Sequence, residues 1–229
     1  WSRGLGDVYK RQGVLWLPRP SISWTLLILI GLTLFTGQFL LQFSGIAMGM
    51  PAGLTAVVAQ TQAPFTVLLA IFVLGDKPTI QQIAGMLVAL IGLIVISSTL
   101  GQGVPIAAFL VMLASALSWS IGNVLVKKVG KVDMLHLMVW ASLIPPLPAL
   151  VLTMTFDGGY MSILNSLNKA SWASIGSVVY LGLIATILGY VAWGSLMARY
   201  SAAAVAPFAL LVPCVGAVSY THLTLPTKA

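Results

Sequence analysis

Charged residues and cysteine are both scarce in this sequence of 229 residues. Only 7% of the residues are charged, whereas 59% are hydrophobic, and the mean hydropathy is +1.03. A soluble domain carries about 25% charged residues, so the composition excludes a water-soluble protein and indicates an integral membrane protein. The single cysteine, Cys214, lies in an apolar stretch, which excludes a disulfide framework and a cysteine-based metal site.

Catalytic and metal-binding patterns are lacking as well. Asp76, Asp133 and Asp157 all fall in predicted loops, and no cluster of His, Cys or carboxylates has the spacing of metal ligands. Catalysis needs positioned acids, bases or nucleophiles, so we expect neither an enzyme nor a cofactor or metal. No Lys/Arg patch with interleaved aromatics favours nucleic-acid binding.

The two ends of the chain differ from its middle. Residues 1–12 (WSRGLGDVYKRQ) and 218–229 (VSYTHLTLPTKA) are polar and resemble translated sequencing-adapter DNA. Such segments are set aside before a fold is considered, and we expect neither to belong to the natural protein.

Between these ends, apolar runs alternate with short breaks that contain Gly, Pro or charge. About 20 residues cross a bilayer as a helix, and breaks of this composition separate helices. The sequence therefore predicts an all-α integral membrane protein with about seven spans, at residues 24–46, 54–74, 83–100, 106–126, 134–155, 171–197 and from 202 onward. Gly85 and Gly92 are seven apart on the third span, a spacing that predicts a close helix approach.

Basic residues are distributed unequally between the two sides that alternating loops create. Six lie on one side and only Lys169 on the other; the six are Arg19, Lys77, Lys127, Lys128, Lys131 and Arg199. Short loops rich in Lys and Arg stay in the cytoplasm, so the first span is predicted to run from the cytoplasm outward.

A weak internal repeat relates the first two spans to the last two. Residues 36–39 (TGQF) stand as far before one small-residue turn as residues 188–191 (LGYV) stand before another, and Pro64 and Pro213 follow the two turns at similar distances. The repeat steps by five spans, and an odd number forces its copies into opposite orientations. This is the inverted-repeat plan of secondary transporters.

Motifs throughout the chain resemble the drug/metabolite transporter superfamily, EamA type. The residues that carry the resemblance run in order from Val14 to Gly216; they include GQF at 37–39, GMPAGL at 49–54, QTQA at 60–63, SWS at 118–120, GN at 122–123, GY at 189–190, WG at 193–194 and VAP at 205–207. The resemblance implies ten helices in two inverted repeats of five, of which residues 13–104 would form helices three to five and residues 105–217 helices six to nine. It also implies a multi-pass exporter of the bacterial inner membrane whose partners are lipid and a small solute, such as an amino acid or a derivative like cysteine or O-acetylserine.

Polar side chains inside the spans are the candidates for solute binding, because a polar group in hydrocarbon is costly unless it meets a cavity or a partner. They fall on helical stripes, with aromatic side chains beside them. The candidates are Gln38, Gln42, Gln60, Trp119, Asn123, Thr186, Tyr190 and Trp193. Interhelical hydrogen bonding is the alternative interpretation of each, and Pro64 and Pro213 are either hinges at the site or simple kinks.

Two other functions remain open at this point. A membrane assembly subunit that transports nothing would also be poor in charge, and a transporter of this superfamily could carry a drug, a sugar or a nucleotide sugar instead. The sequence does not decide among these solutes, because one fold serves many functions, and it leaves the oligomeric state unknown.

Overall fold

The structure is a computed structural model that describes residues 20–98, 104–156 and 158–210. All regular elements within these residues are helical. In chain order they are α1 (Trp24–Ala47), α2 (Ala52–Ala59), α3 (Gln62–Leu74), α4 (Ile80–Ser98), α5 (Ile106–Val129), α6 (Met134–Ser142), α7 (Pro146–Phe156), α8 (Gly159–Asn168), α9 (Trp172–Arg199) and α10 (Ala202–Val205), which continues as a 3-10 turn over Ala206–Leu210.

Five helical segments of the described residues are long and apolar enough to cross a membrane. They are α1, Leu54–Leu74 across α2 and α3, α5, Met134–Phe156 across α6 and α7, and α9. The prediction of an all-α, multi-pass membrane protein is confirmed. The third predicted span forms α4, and the seventh starts at α10 and continues into residues outside the described part. The numbering of these helices within a ten-helix plan stays a prediction, and both adapter-like segments lie in residues that the structure does not describe.

Helix α5 is the most buried of the five spans, and serine hydroxyls tie it to its neighbours. Ser115 donates to the Gln38 carbonyl at 2.7 Å and Ser118 donates to the Thr33 carbonyl at 2.8 Å, both on α1. On another side, Ser120 donates to the Gln62 carbonyl of α3 at 2.9 Å. A hydroxyl–carbonyl bond between helices contributes about 0.6 kcal/mol in a membrane, and these three set the register of α1 and α3 against α5.

Glycines let α1 and α5 approach closely. A Cβ at Gly122 would lie 2.8 Å from the Cβ of Leu34, and one at Gly37 would lie 2.5 Å from the Ser118 hydroxyl. By contrast, a Cβ at Gly85 or Gly92 would meet no atom of the described residues within 4 Å. The expectation that Gly85 and Gly92 form a close helix contact is not supported in this part of the chain.

Two predicted spans are interrupted rather than straight. The second breaks at Gln60 and Thr61, where the Ala63 N–H bonds the Gln60 carbonyl at 3.0 Å, because Pro64 has no N–H to continue the regular pattern. The fifth breaks between α6 and α7, where Pro145 and Pro146 cannot donate. The stretch expected to be a break after the fifth span also differs, because most of it forms helix α8.

Helices α1 and α9 share an unusual construction. Each is N-capped by a serine, Ser23 or Ser171, whose hydroxyl accepts from the backbone three residues on. Each then passes through a π-helical segment, Gly31–Gly37 in α1 and Tyr180–Leu188 in α9. π-Helical turns are rare and concentrate at functional sites. The recurrence of this order of features supports the predicted internal repeat.

The loops predicted to be cytoplasmic meet at one end of the bundle. Lys127, at the end of α5, donates to the carbonyl of Tyr200 after α9. The Asp76 carboxylate, in the loop after α3, accepts from the Ala202 N–H at 3.1 Å. The ends of α3, α5 and α9 and the start of α10 therefore lie together, as the alternation of loops requires.

Candidate functional site

The first polar group of the site joins α1 to α9. The Tyr190 hydroxyl donates to Gln38 Oε1 at 3.2 Å, and Gln38 Nε2 donates to Gln42 Oε1 at 3.2 Å. The Tyr190 ring also lies 4.7 Å from the ring of Phe35, centroid to centroid. Three of the candidate residues thus form one hydrogen-bonded chain, and Gln38 and Gln42 share a helix face as their spacing predicts.

This contact joins two residues that the predicted repeat makes equivalent. Gln38 directly follows the π-helical segment of α1, and Tyr190 follows that of α9 after one intervening residue. The two residues match each other in the predicted sequence repeat. Under the predicted inverted repeat, two equivalent residues can touch only near the axis that relates the two copies. Inverted-repeat transporters place that axis, and their solute sites, near the middle of the bilayer.

The second polar group joins α5 to α9. The indole N–H of Trp193 donates to Asn123 Oδ1 at 2.9 Å. The rings of Trp119 and Trp193 lie 5.4 Å apart with a 45° tilt. Asn123 is 1% exposed and Trp119 is 8% exposed, while Trp193 is half-buried, so an amide and two indoles form a wall that is buried on the α5 side.

Gln60 stands at the break between α2 and α3. Its Nε2 donates to the Ala56 carbonyl at 3.3 Å, one turn earlier in the chain. The break places an amide side chain where the backbone leaves the regular helix, and discontinuous helices of this kind line the sites of many transporters. The structure brings no other candidate residue into hydrogen-bond contact with Gln60.

Three buried polar atoms have no hydrogen-bond partner among the described residues. They are Asn123 Nδ2, Gln60 Oε1 and Thr55 Oγ1. An unpaired buried polar atom costs about 1 to 3 kcal/mol, and native structures contain few of them. Sequence reasoning missed Thr55, because a threonine in an apolar helix usually bonds its own backbone and carries no signal of its own.

Thr186 and the two prolines have different surroundings. The Thr186 hydroxyl donates to the Leu181 carbonyl of its own helix at 2.6 Å, and Thr36 makes the same five-residue bond to Gly31 in α1 at 3.2 Å. The Thr186 hydroxyl thus donates a hydrogen bond to a backbone carbonyl of its own π-helical segment. Pro64 is buried in the first turn of α3, next to the break. Pro213, the second predicted hinge, lies outside the described residues.

Charge is absent from the surroundings of these groups within the described part of the chain. Helix α1 contains no charged residue, and the charges of α5 and α9 are confined to their last turns. No set of three His, Cys or Asp side chains in that part could hold a metal ion. Neutral amide and phenol dipoles beside indole rings suit a small solute without net charge.

The sequence profile of the EamA-like transporter family matches residues 11–98 and again residues 106–222. The chain belongs to this family. Two similar proteins are both named probable amino-acid metabolite efflux pump. The one from Salmonella typhimurium is 41% identical and the one from Escherichia coli 38% identical, each over 212 residues that cover 90% of this chain and 71% of the relative.

A more distant relative is named a probable terminal-alkyne amino-acid exporter. It comes from Streptantibioticus cattleyicolor and is 31% identical over 176 residues, which cover 74% of this chain and 55% of that protein. No solved structure matches the chain. Membership of the family makes this protein a multi-pass membrane transporter of small solutes.

Proposed function

We propose that this transporter exports amino acids or small amino-acid derivatives from the bacterial cytoplasm across the inner membrane. The names of the three relatives support this class of solute. The uncharged site also supports it, because an amino acid is a zwitterion without net charge and its two charged groups can be bound by amide and phenol dipoles.

The solute would lie among α1, α3, α5 and α9. In this proposal Gln38, Gln60, Asn123 and Tyr190 exchange hydrogen bonds with it, and Trp119 and Trp193 form the apolar walls. The observation that carries the proposal is the buried Asn123 amide, which is held by Trp193 and still has unpaired N–H groups. Native proteins leave few buried donors unpaired, so an unpaired donor at this position favours a solute as its partner.

The test is solute flux in vesicles reconstituted with the complete protein, meaning these residues within their natural reading frame. Vesicles loaded with cysteine should release it faster than protein-free vesicles. Asn123→Ala and Gln60→Ala should each reduce the rate by about tenfold or less, because one hydrogen bond contributes about 0.5 to 1.5 kcal/mol and 1.4 kcal/mol corresponds to tenfold.

The matched controls are Val88→Ala and Val95→Ala on α4, whose side chains are 69% and 59% exposed. These changes should leave the flux nearly unchanged. Equal effects of both pairs would show that the stripes are packing features. No flux above protein-free vesicles for cysteine, other amino acids or their acetylated derivatives would overturn the proposed solute class and favour a drug, a sugar or a nucleotide sugar as the solute.

A further inference from the structure

The orientation of the Asn123 amide is decided by its partner. An indole nitrogen can only donate a hydrogen bond, so the atom that receives the Trp193 N–H must be the oxygen of the Asn123 side chain. The other half of the amide, Nδ2, is therefore the unpaired half. Asn123 presents a hydrogen-bond donor to the interior of the bundle.

The Gln60 amide is oriented by the same logic with the opposite result. A backbone carbonyl can only accept, so the atom next to the Ala56 carbonyl must be Nε2. The oxygen, Oε1, is left buried and has no partner among the described residues. Gln60 presents an acceptor.

The hydrogen bond between Ser120 and the Gln62 carbonyl gives the spacing of the two groups. It aligns α3 and α5, which the predicted topology runs in the same direction. Asn123 lies three residues after Ser120, and Gln60 lies two residues before Gln62. At 1.5 Å per helical residue, the count of five residues offsets Asn123 from Gln60 by roughly 7 to 8 Å along the two helices. This is on the order of the distance that one amino acid spans with a hydrogen bond of about 2.9 Å at each end.

We propose that Asn123 Nδ2 binds the carboxylate of the solute and that Gln60 Oε1 binds its ammonium group, so that the amine points toward the outer side and the carboxylate toward the cytoplasmic side. This inference rests on the proposed function and adds a direction and a selectivity to it. A solute that lacks either group leaves one buried amide atom unpaired. Trp193 is a positioning residue, because its N–H keeps the Asn123 amide from turning over.

The test compares three related solutes with the reconstituted complete protein. They are cysteine, cysteamine, which lacks the carboxylate, and 3-mercaptopropionate, which lacks the amine, all kept reduced. The wild-type protein should release cysteine at least several-fold faster than either analogue. The analogues measure whether both groups of the solute are needed, and the variants below measure its orientation. Wild-type cysteine flux measures the proposed function, so the inference and the proposed function can fail separately.

Each of two variants places one carboxylate at one end of the proposed solute site. Asn123→Asp should repel the carboxylate of the solute, lower cysteine flux by at least tenfold and shift the preference to cysteamine. Gln60→Glu should attract the ammonium group, raise cysteamine flux relative to wild type and further exclude 3-mercaptopropionate. Gln62→Glu is the matched control, because it adds the same charge two residues later, at the first residue of α3, where no solute contact is proposed, and it should leave the order of the three solutes unchanged.

A milder variant covers the case in which a buried charge prevents folding. Trp193→Phe keeps an aromatic wall but removes the indole N–H, so the Asn123 amide can present either atom and the preference for cysteine over cysteamine should fall several-fold. The proposal is overturned if Trp193→Phe keeps the full preference. It is also overturned if Asn123→Asp and Gln60→Glu change the three fluxes by equal factors. The same holds if Gln60→Glu, and not Asn123→Asp, lowers cysteine flux by at least tenfold.

Discussion

Replacing Gly122 by alanine should separate α1 from α5 and destabilise the protein. The added Cβ would lie 2.8 Å from the Cβ of Leu34 and 2.9 Å from its Cα. The Cα is a backbone atom and the Cβ is bonded directly to it, so a side-chain rotation cannot move either of them away. Helix α1 must therefore move by several tenths of an ångström. Overpacking of this kind costs about 1 to 3 kcal/mol, partly offset by about 0.5 to 1 kcal/mol from the better helix propensity of alanine.

Gly176→Ala on α9 provides the matched control. A Cβ at Gly176 would meet no described atom within 4 Å, so only the propensity gain applies. The difference in unfolding free energy between the two variants should therefore be about 1 to 3 kcal/mol, with Gly122→Ala the less stable. Reversible unfolding in mixed detergent micelles, followed by tryptophan fluorescence, measures it.

The same change should also affect transport. Displacing α1 from α5 strains the bond between Ser118 and the Thr33 carbonyl and shifts Gln38, which lies on the same helix as Leu34. Flux per folded molecule should fall for Gly122→Ala and stay unchanged for Gly176→Ala. Equal stability of the two variants would refute the close packing of α1 on α5 as the device that positions the site.

Two further predictions concern the ends of the bundle. In a Cys214→Ser background, an impermeant thiol reagent applied outside intact cells should label Tyr160→Cys and not Tyr200→Cys, because the basic loops place Tyr200 in the cytoplasm. The side chains of Tyr160 and Tyr200 are similarly exposed, at 61% and 57%, so exposure alone would not produce this difference. The reverse labelling pattern would overturn the orientation. Asp76→Ala should speed hydrogen exchange at the Ala202 amide several-fold, because the acceptor of that amide is lost. Asp76→Asn keeps an acceptor oxygen and should leave the exchange unchanged. It should also leave the pH dependence of transport unchanged. A changed pH dependence in Asp76→Asn would show that this carboxylate takes part in proton coupling.

Patterns within single helices were readable from the sequence alone. Apolar runs of bilayer length and Gly/Pro breaks locate the spans, because a helix in lipid must satisfy its own backbone and be apolar along its length. A period of 3.6 residues places Gln38 and Gln42 on one face, and their side chains are bonded to each other. Pro64 predicts a disturbance one turn earlier, and the helix does break at Gln60.

Relations between helices were decided only by the tertiary structure. The period of a helix gives the angle between its own residues but neither its rotation nor its depth relative to a neighbour. Glycine contacts and serine–carbonyl bonds set those two quantities here, and they pair Tyr190 with Gln38 and Trp193 with Asn123. The same stripe that suggested Thr186 as a solute ligand leaves its hydroxyl on its own backbone, because a π-helical segment leaves carbonyls to be satisfied locally. Which half of each amide stays unpaired depends on the donor or acceptor that packing brings against it, and no pattern in one helix contains that information.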